Sequence, residues 1–235
     1  MSDWSLAIDN LEREVSNAGV TVETGNAVTR SSILEADYDG VAIATGARYE
    51  SSGLSLYRPE RNAVPGAELG HVIDLGSAAQ RLLDDPTSLG KRVIIVDESG
   101  GHLPFAVAEL IARGGGEVEI VSPRLYAGEK IYRNLDMAYI FPRIKGMGVT
   151  ITHQHFIEKI EPHSVDIYDI WTGPETAVKR PDVDCVVMSI LRVPNDTLYF
   201  EMREDCENID RIGDVAAPRD VAAALHDAEV YGRAI

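Results

Sequence analysis

The 235-residue sequence predicts an α/β protein in which one domain with a parallel sheet is nested inside another. Three observations predict it. From Arg92 to Val121 an apolar run, a glycine-containing loop, a helical stretch, a glycine stop and a second apolar run follow one another, as in a right-handed βαβ unit. Further strand and helix patterns lie on both sides of this unit. The stretch from Arg48 to His71, with Gly53, Pro59, Pro65 and Gly66, is irregular and reads as a connection between two domains.

The opening element reads as a helix because Trp4, Ile8, Leu11, Val15 and Ala18 recur at helical spacing with acidic residues between them. Ser2 or Asp3 can cap it and Gly19 ends it. Val20 to Thr24 reads as a strand, and Tyr38 to Gly46 as a second, more deeply buried one. After the connection, Leu75 to Leu83 predicts a helix, Asp85-Pro86 a turn and Arg92 to Val96 an apolar strand. A helix over Leu103 to Arg113 is closed by Gly114-Gly115-Gly116, which lead into the strand Glu117 to Val121. A helix ending near Lys145 precedes a strand at Val149 to Thr152, and Phe156 to Ile160 with Val165 to Trp171 alternate like an antiparallel meander. Cys185 to Ile190 is another buried strand. Beyond it come Ile209 to Val215 and a final helix opened by Pro218, with Val221, Leu225 and Ala228. The domains expected from this order are 1–74 with 191–235, and an inserted domain at 75–190.

Composition sets limits on function. With 45% hydrophobic and 26% charged residues the chain is ordinary for a globular protein, which excludes intrinsic disorder. No run approaches the roughly 18–20 apolar residues of a membrane span. Met1-Ser2-Asp3-Trp4 has neither the basic start nor the apolar core of a signal peptide, so the cytoplasm is the expected location. Lys and Arg number 22 against 38 Asp and Glu, and the net charge of -16 repels phosphate backbones and anionic lipid, which argues against nucleic-acid or membrane partners. The two cysteines, Cys185 and Cys206, are too few for a disulfide framework, a four-cysteine zinc site or an iron–sulfur cluster held by this chain alone, and both are expected to be inert.

Ala44-Thr45-Gly46 at a strand end, Ile212-Gly213-Asp214 before Pro218, and the nested βαβ unit together resemble the flavoprotein reductases with two dinucleotide-binding domains. Within that group, Phe156 to Pro162 with Val165 to Trp171 is similar to the C-terminal half of the trimethylamine and dimethylamine dehydrogenases, with the 2,4-dienoyl-CoA reductases as more distant relatives. The resemblance spans nearly the whole chain and keeps the order of elements. It implies two nested Rossmann-like domains of the FAD/NAD(P)-reductase type, the outer one truncated at its N-terminus. Members of that family begin with a flavin-binding β/α barrel carrying FMN, the substrate pocket and the cysteines of a 4Fe-4S cluster. A G-x-G-x-x-G turn that holds the ADP half of FAD, or free ADP, then follows. The chain matches the family from about the helix after that turn. It is therefore expected to be a C-terminal fragment or the small partner of a split enzyme.

Three places are candidates for chemistry. The first is the turn after Val96, where a dinucleotide fingerprint needs glycines near positions 97, 99 and 102 and the chain has Asp97-Glu98-Ser99-Gly100-Gly101-His102. Two carboxylates at the mouth of a phosphate site oppose the anion that the helix N-terminus attracts. A degenerate loop is favoured over a surviving NAD(P) site, although Ser122 and Arg124 after the next strand suit a 2′-phosphate. The second is Ala44-Thr45-Gly46 with Gly213-Asp214. By the resemblance, the trio passes close to the nucleotide and the Asp contacts a ribityl chain; alternatively Gly46 and Gly213 only end buried strands. Ser189-Ile190-Leu191, the corresponding trio of the inserted domain, has no glycine. The third is His153 and His155, two apart on one expected strand and so on one face, with no acidic or cysteine partner at convincing spacing for a metal.

No Gly-x-Ser-x-Gly elbow, Walker loop or Cys/His nucleophile pairing occurs. The leading expectation is a non-catalytic, structural or ADP-binding portion of an amine-dehydrogenase-type oxidoreductase. Its partners would be the FMN barrel, as domain or subunit, and an electron-transfer flavoprotein, with homo-oligomers expected. No cofactor is expected in this chain alone; ADP or FAD is possible with the missing N-terminal unit, and NAD(P) is not expected. The alternatives are an NAD(P)H-dependent flavin reductase resembling the dienoyl-CoA reductases, which needs a working site at Gly100-Gly101, and an interaction module with both nucleotide sites dead.

Overall fold

Apolar residues run without a break along Arg92–Asp97 and Cys185–Ser189, and such runs belong to strands covered on both faces. The computed structural model, which describes residues 3–36 and 38–234, places both strands inside a five-stranded sheet. In chain order the elements are α1 (Asp3–Asn17), α2 (Arg30–Ala36), β1 (Val41–Ile43), β2 (Ala47–Tyr49), β3 (Val72–Asp74), α3 (Leu75–Asp84), β4 (Arg92–Asp97), α4 (Leu103–Arg113), β5 (Glu117–Ser122), α5 (Glu129–Tyr132) and α6 (Met137–Gly146). They continue with β6 (Thr150–His153), β7 (His155–Glu161), β8 (Ser164–Asp169), β9 (Val178–Pro181), β10 (Cys185–Ser189), β11 (Arg192–Pro194), α7 (Thr197–Met202), β12 (Ile209–Arg211) and α8 (Val221–Gly232). No described helix is long and apolar enough to cross a membrane.

The chain divides into two compact units. One runs up to Ile43 and includes Thr197–Asp210; it holds α1, α2, β1, α7 and the first two residues of β12. The other consists of Ala44–Asp196 with the chain from Arg211 onward.

In the larger unit the sheet runs β3-β10-β4-β5-β6 with every pairing parallel. Side-chain alternation sorts its strands between two cores. Val93, Ile95, Val118, Ile120, Cys185 and Val187 face Leu75, Leu82, Phe105 and Ile111 of α3 and α4. Ile94, Val96, Val121, Val186 and Met188 face Phe156, Ile157, Ile160, Val165 and Ile167, which belong to the antiparallel β7-β8-β9 sheet. The connection from 50 to 71 is pinned to that second sheet: Ile160 N donates to Pro65 O (2.8 Å), and a Cβ on Gly66 would lie 2.0 Å from Ile160 O.

Several sequence expectations are corrected. Val20 to Thr24 is not a strand: Val20 and Val22 are exposed, and no strand lies beside them among the described residues, so their alternation has nothing to pack on. The strand expected over 38–46 shrinks to β1, and Trp171 lies beyond β8 as an exposed side chain. Gly19, at φ 71°, does end α1, and Val20 N closes the turn onto Val15 O. Ser2 and the Trp4 side chain lie outside the described residues.

Candidate functional site

Parallel α/β sheets meet their ligands beyond the carboxyl ends of the strands. Here those ends are polar: Asp74, Ser189, Asp97, Ser122 and His153 close β3, β10, β4, β5 and β6. Ser189 stands directly beside Asp97 in the register. The loop 97–102, between β4 and the start of α4, lies over this row.

The two acids of that loop turn inward. Asp97 is fully buried and Glu98 is 4% exposed. One Asp97 oxygen, Oδ1, accepts from Gly100 N (3.0 Å) and Ser99 Oγ (2.8 Å), while its Oδ2 is buried without a hydrogen-bond partner. Glu98 Oε2 accepts from Ser55 Oγ (2.6 Å). Burial is the main influence on both groups and raises both pKa values, against the lowering effect of the donors and of Arg124. The expectation that these carboxylates stand at the mouth of a phosphate site therefore does not hold. They are interior groups, and burial shifts both toward the protonated form relative to an exposed carboxyl.

The loop amides are engaged as well. Glu98 N and Ser99 N both donate to Ser189 O (2.9 and 3.0 Å), and Gly100 N donates to Asp97. Lys130 N donates to Gly100 O (3.0 Å), which ties the loop to α5. Gly100 sits at φ 66°, where glycine avoids strain, and Gly101 has open space where a Cβ would be. Ser122 Oγ donates to Asp97 O (2.6 Å). Arg124 Nε donates to Glu98 O (2.7 Å), and its Nη1 pairs with Glu129 (2.5 Å). Gly100, Gly101, Ser122 and Arg124 are thus brought together as one hydrogen-bonded cluster.

The second candidate group also assembles in the larger unit. Gly46 lies at φ 71° just before β2, and Thr45 Oγ1 donates to Asn195 O (2.6 Å) while Asn195 N donates to Gly46 O (2.9 Å). The antiparallel β2–β11 ribbon carries this turn and also Arg192, whose Nη1 pairs with Asp214 at 2.6 Å. Asp214 Oδ1 further accepts from Arg219 N (2.8 Å), and Gly213, at φ 68°, donates from its N to Asp227 (3.2 Å). Tyr49 of β2 is subject to the charges of acids in both groups. Burial raises its hydroxyl pKa, Arg192 lowers it, and Asp97 and Asp214 raise it further. Arg192, Asn195 and Tyr49 carry no sequence signature that marks them in advance, because their partners lie over a hundred residues away or in the loops.

His153 and His155 do not share a strand. His153 ends β6, His155 starts β7, and Gln154 between them has φ 59°. His153 Nδ1 accepts from Ala127 N (3.0 Å), and no metal-binding cluster occurs among the described residues. Cys185 is buried, which pushes its thiol up to about 12, and Cys206 is half-buried. In the smaller unit a hollow of about 250 Å³ is lined by Tyr38, Asp39, Asp205, Glu207 and Asn208, and it contains no glycine-loop amides.

Residues 78–182 match the family described as the OYE-like second alpha/beta domain. The chain is 24% identical over 233 residues to dimethylamine dehydrogenase of Hyphomicrobium sp. (strain x), a match covering 88% of this chain and 31% of the relative. It is 26% identical over 254 residues to the probable N-methylproline demethylase of Rhizobium meliloti (strain 1021), covering 96% of this chain and 34% of the relative. Histamine dehydrogenase from Rhizobium sp. 4-9 superposes with a TM-score of 0.88 at 22% identity, covering all of this chain and 36% of that one. The chain thus spans about a third of the length of the curated relatives it matches. The resemblance drawn from the sequence to the trimethylamine and dimethylamine dehydrogenases is the one these comparisons return.

Proposed function

We propose that this chain is the nucleotide-binding-like portion of a flavin-dependent amine-dehydrogenase-type oxidoreductase, and that it holds an adenine nucleotide structurally while amine oxidation takes place elsewhere in the enzyme. The observation that carries this reading is the match of nearly the whole chain to about a third of dimethylamine dehydrogenase. The place proposed for ADP is Ala44, Thr45 and Gly46 with Gly213 and Asp214. Nothing lies within 4 Å of a Cβ built on Gly46, so a ligand can approach that strand end closely. FMN and a 4Fe-4S cluster belong, in this reading, to a barrel outside the chain; Cys185 and Cys206 do not fit a cluster, being two thiols of which one is buried and resists ionisation. An electron-transfer flavoprotein is the proposed acceptor of the whole enzyme's electrons, and the chain's own assembly is proposed to be oligomeric.

Nested reductase-type domains, with 75–190 inserted, remain part of the proposal. Calorimetric titration of the purified chain with ADP, FAD, NADH and NADPH tests it. ADP is expected to bind, the chain to be colourless as purified, and both reduced dinucleotides to bind weakly. Micromolar binding of NADH or NADPH would instead favour a pyridine-nucleotide-dependent flavin reductase. Failure of every nucleotide to bind would favour an interaction module.

A further inference from the structure

We infer that the glycine loop at the end of β4 is closed from inside rather than guarded by charge: Ser189 O and the carboxyl of Asp97, its built-in side-chain occupant, take the donors that a dinucleotide phosphate would need. The inference deepens the functional reading above and rests on it for the assignment of this loop as dinucleotide-type. A phosphate is held at such a turn by successive backbone N–H groups directed out of the loop at the helix N-terminus. In this loop the three successive N–H groups of Glu98, Ser99 and Gly100 all point at internal acceptors, two at Ser189 O and one at Asp97 Oδ1. Ser99 Oγ, which donates to the same Asp97 oxygen, is also bonded to Ser189 Oγ (2.9 Å). Ser189 O and Asp97 between them therefore satisfy from below the donors that a phosphate would satisfy from above, and Asp97 takes the Gly100 N–H and the Ser99 hydroxyl.

Charge and occupancy make different predictions for the same position. Asn keeps an acceptor oxygen where Oδ1 stands and removes the ionisable group, whereas Gly removes the acceptor altogether. If occupancy closes the loop, Asp97→Asn binds NADH and NADPH no better than the unmodified chain, and Asp97→Gly gains at least about tenfold, the worth of roughly one charge-assisted hydrogen bond returned to a phosphate. Glu98→Gln changes nothing. Amide hydrogen exchange gives a readout independent of ligand. The Gly100 N–H is protected in the unmodified chain and in Asp97→Asn, and loses protection in Asp97→Ala.

An equal gain in Asp97→Asn and Asp97→Gly would make charge the cause and overturn the inference while leaving the functional reading in place. So would unchanged Gly100 protection in Asp97→Ala. Tight dinucleotide binding by the unmodified chain would overturn the functional reading itself.

Discussion

Two adjacent carboxyl groups, Asp97 and Glu98, are buried at the end of one central strand, and this gives the molecule an unusual dependence on pH. Burial raises both pKa values, so the folded chain keeps protons at pH values where the unfolded chain has released them. Stability from such a group is full below its ordinary value and is lost as pH rises through the folded value. Glu161 acts in the opposite sense: Lys179 and Lys159 hold its pKa down to about 2, and its contribution is lost only on the acid side. Urea midpoints measured upward from about pH 5, where Glu161 is constant, should therefore decline in the unmodified chain and decline less in Asp97→Asn. Equal slopes in both would show that Asp97 ionises as freely folded as unfolded. Part of this was legible beforehand. An Asp followed by Ser at the second position and Gly at the third is a sequence in which a carboxylate accepts from its own downstream backbone. What sequence order did not reveal was direction, because the acceptors that draw the loop inward, chiefly Ser189 O, lie ninety residues downstream on a strand adjacent only in the folded sheet.

At the scale of elements, long periodic stretches were legible and short ones were not. The expected extents of α3, α4, β4, β5 and β10 agree with those observed to within a residue or two, because each buries a face that shows as a 3.6-residue or continuous apolar pattern. The short β2, β11, α2 and α7 were missed, since none of them carries two full turns of amphipathic spacing or an apolar run as long as those of β4 and β10. β9 was missed for another reason: Val178–Pro181 carries Lys179 and Arg180 and pairs only with β8, as polar edge strands do. α3 also offers a local test. Asp74 ends β3 and caps the helix, accepting from Ser77 N at 3.0 Å, and the helix brings Leu75, Ala78 and Leu82 onto the sheet. Asp74→Ala should cost about 1 kcal/mol in chemical denaturation, and Asp74→Asn should recover most of it. If Asn is no better than Ala, the cap contributes little and the carboxylate matters through its charge alone.

Across the whole molecule the two compact units differ sharply in what holds them. The larger has two apolar cores on opposite faces of a parallel sheet, the arrangement that the unbroken runs at Arg92–Asp97 and Cys185–Ser189 anticipated. In the smaller, the buried hydrophobics among the described residues are Ile33, Ile43 and Met202, while Leu6, Ile8 and Leu11 of α1 are exposed. Units that bury so little apolar surface are marginal on their own, because conformational entropy is nearly proportional to length while burial is not. Local opening free energies should therefore divide along the same line. Hydrogen exchange on the intact chain is expected to show α1, α2 and α7 exchanging through low-energy openings, and the amides of β4, β5 and β10 only through the highest-energy ones. The boundary should fall near Ile43 and between Asp196 and Thr197. Added ADP should raise protection around Gly46 and Gly213 without raising it in α1, since the proposed nucleotide contacts all belong to the larger unit. Protection that is uniform across both units would mean that the smaller one is held by interactions its own buried residues do not supply.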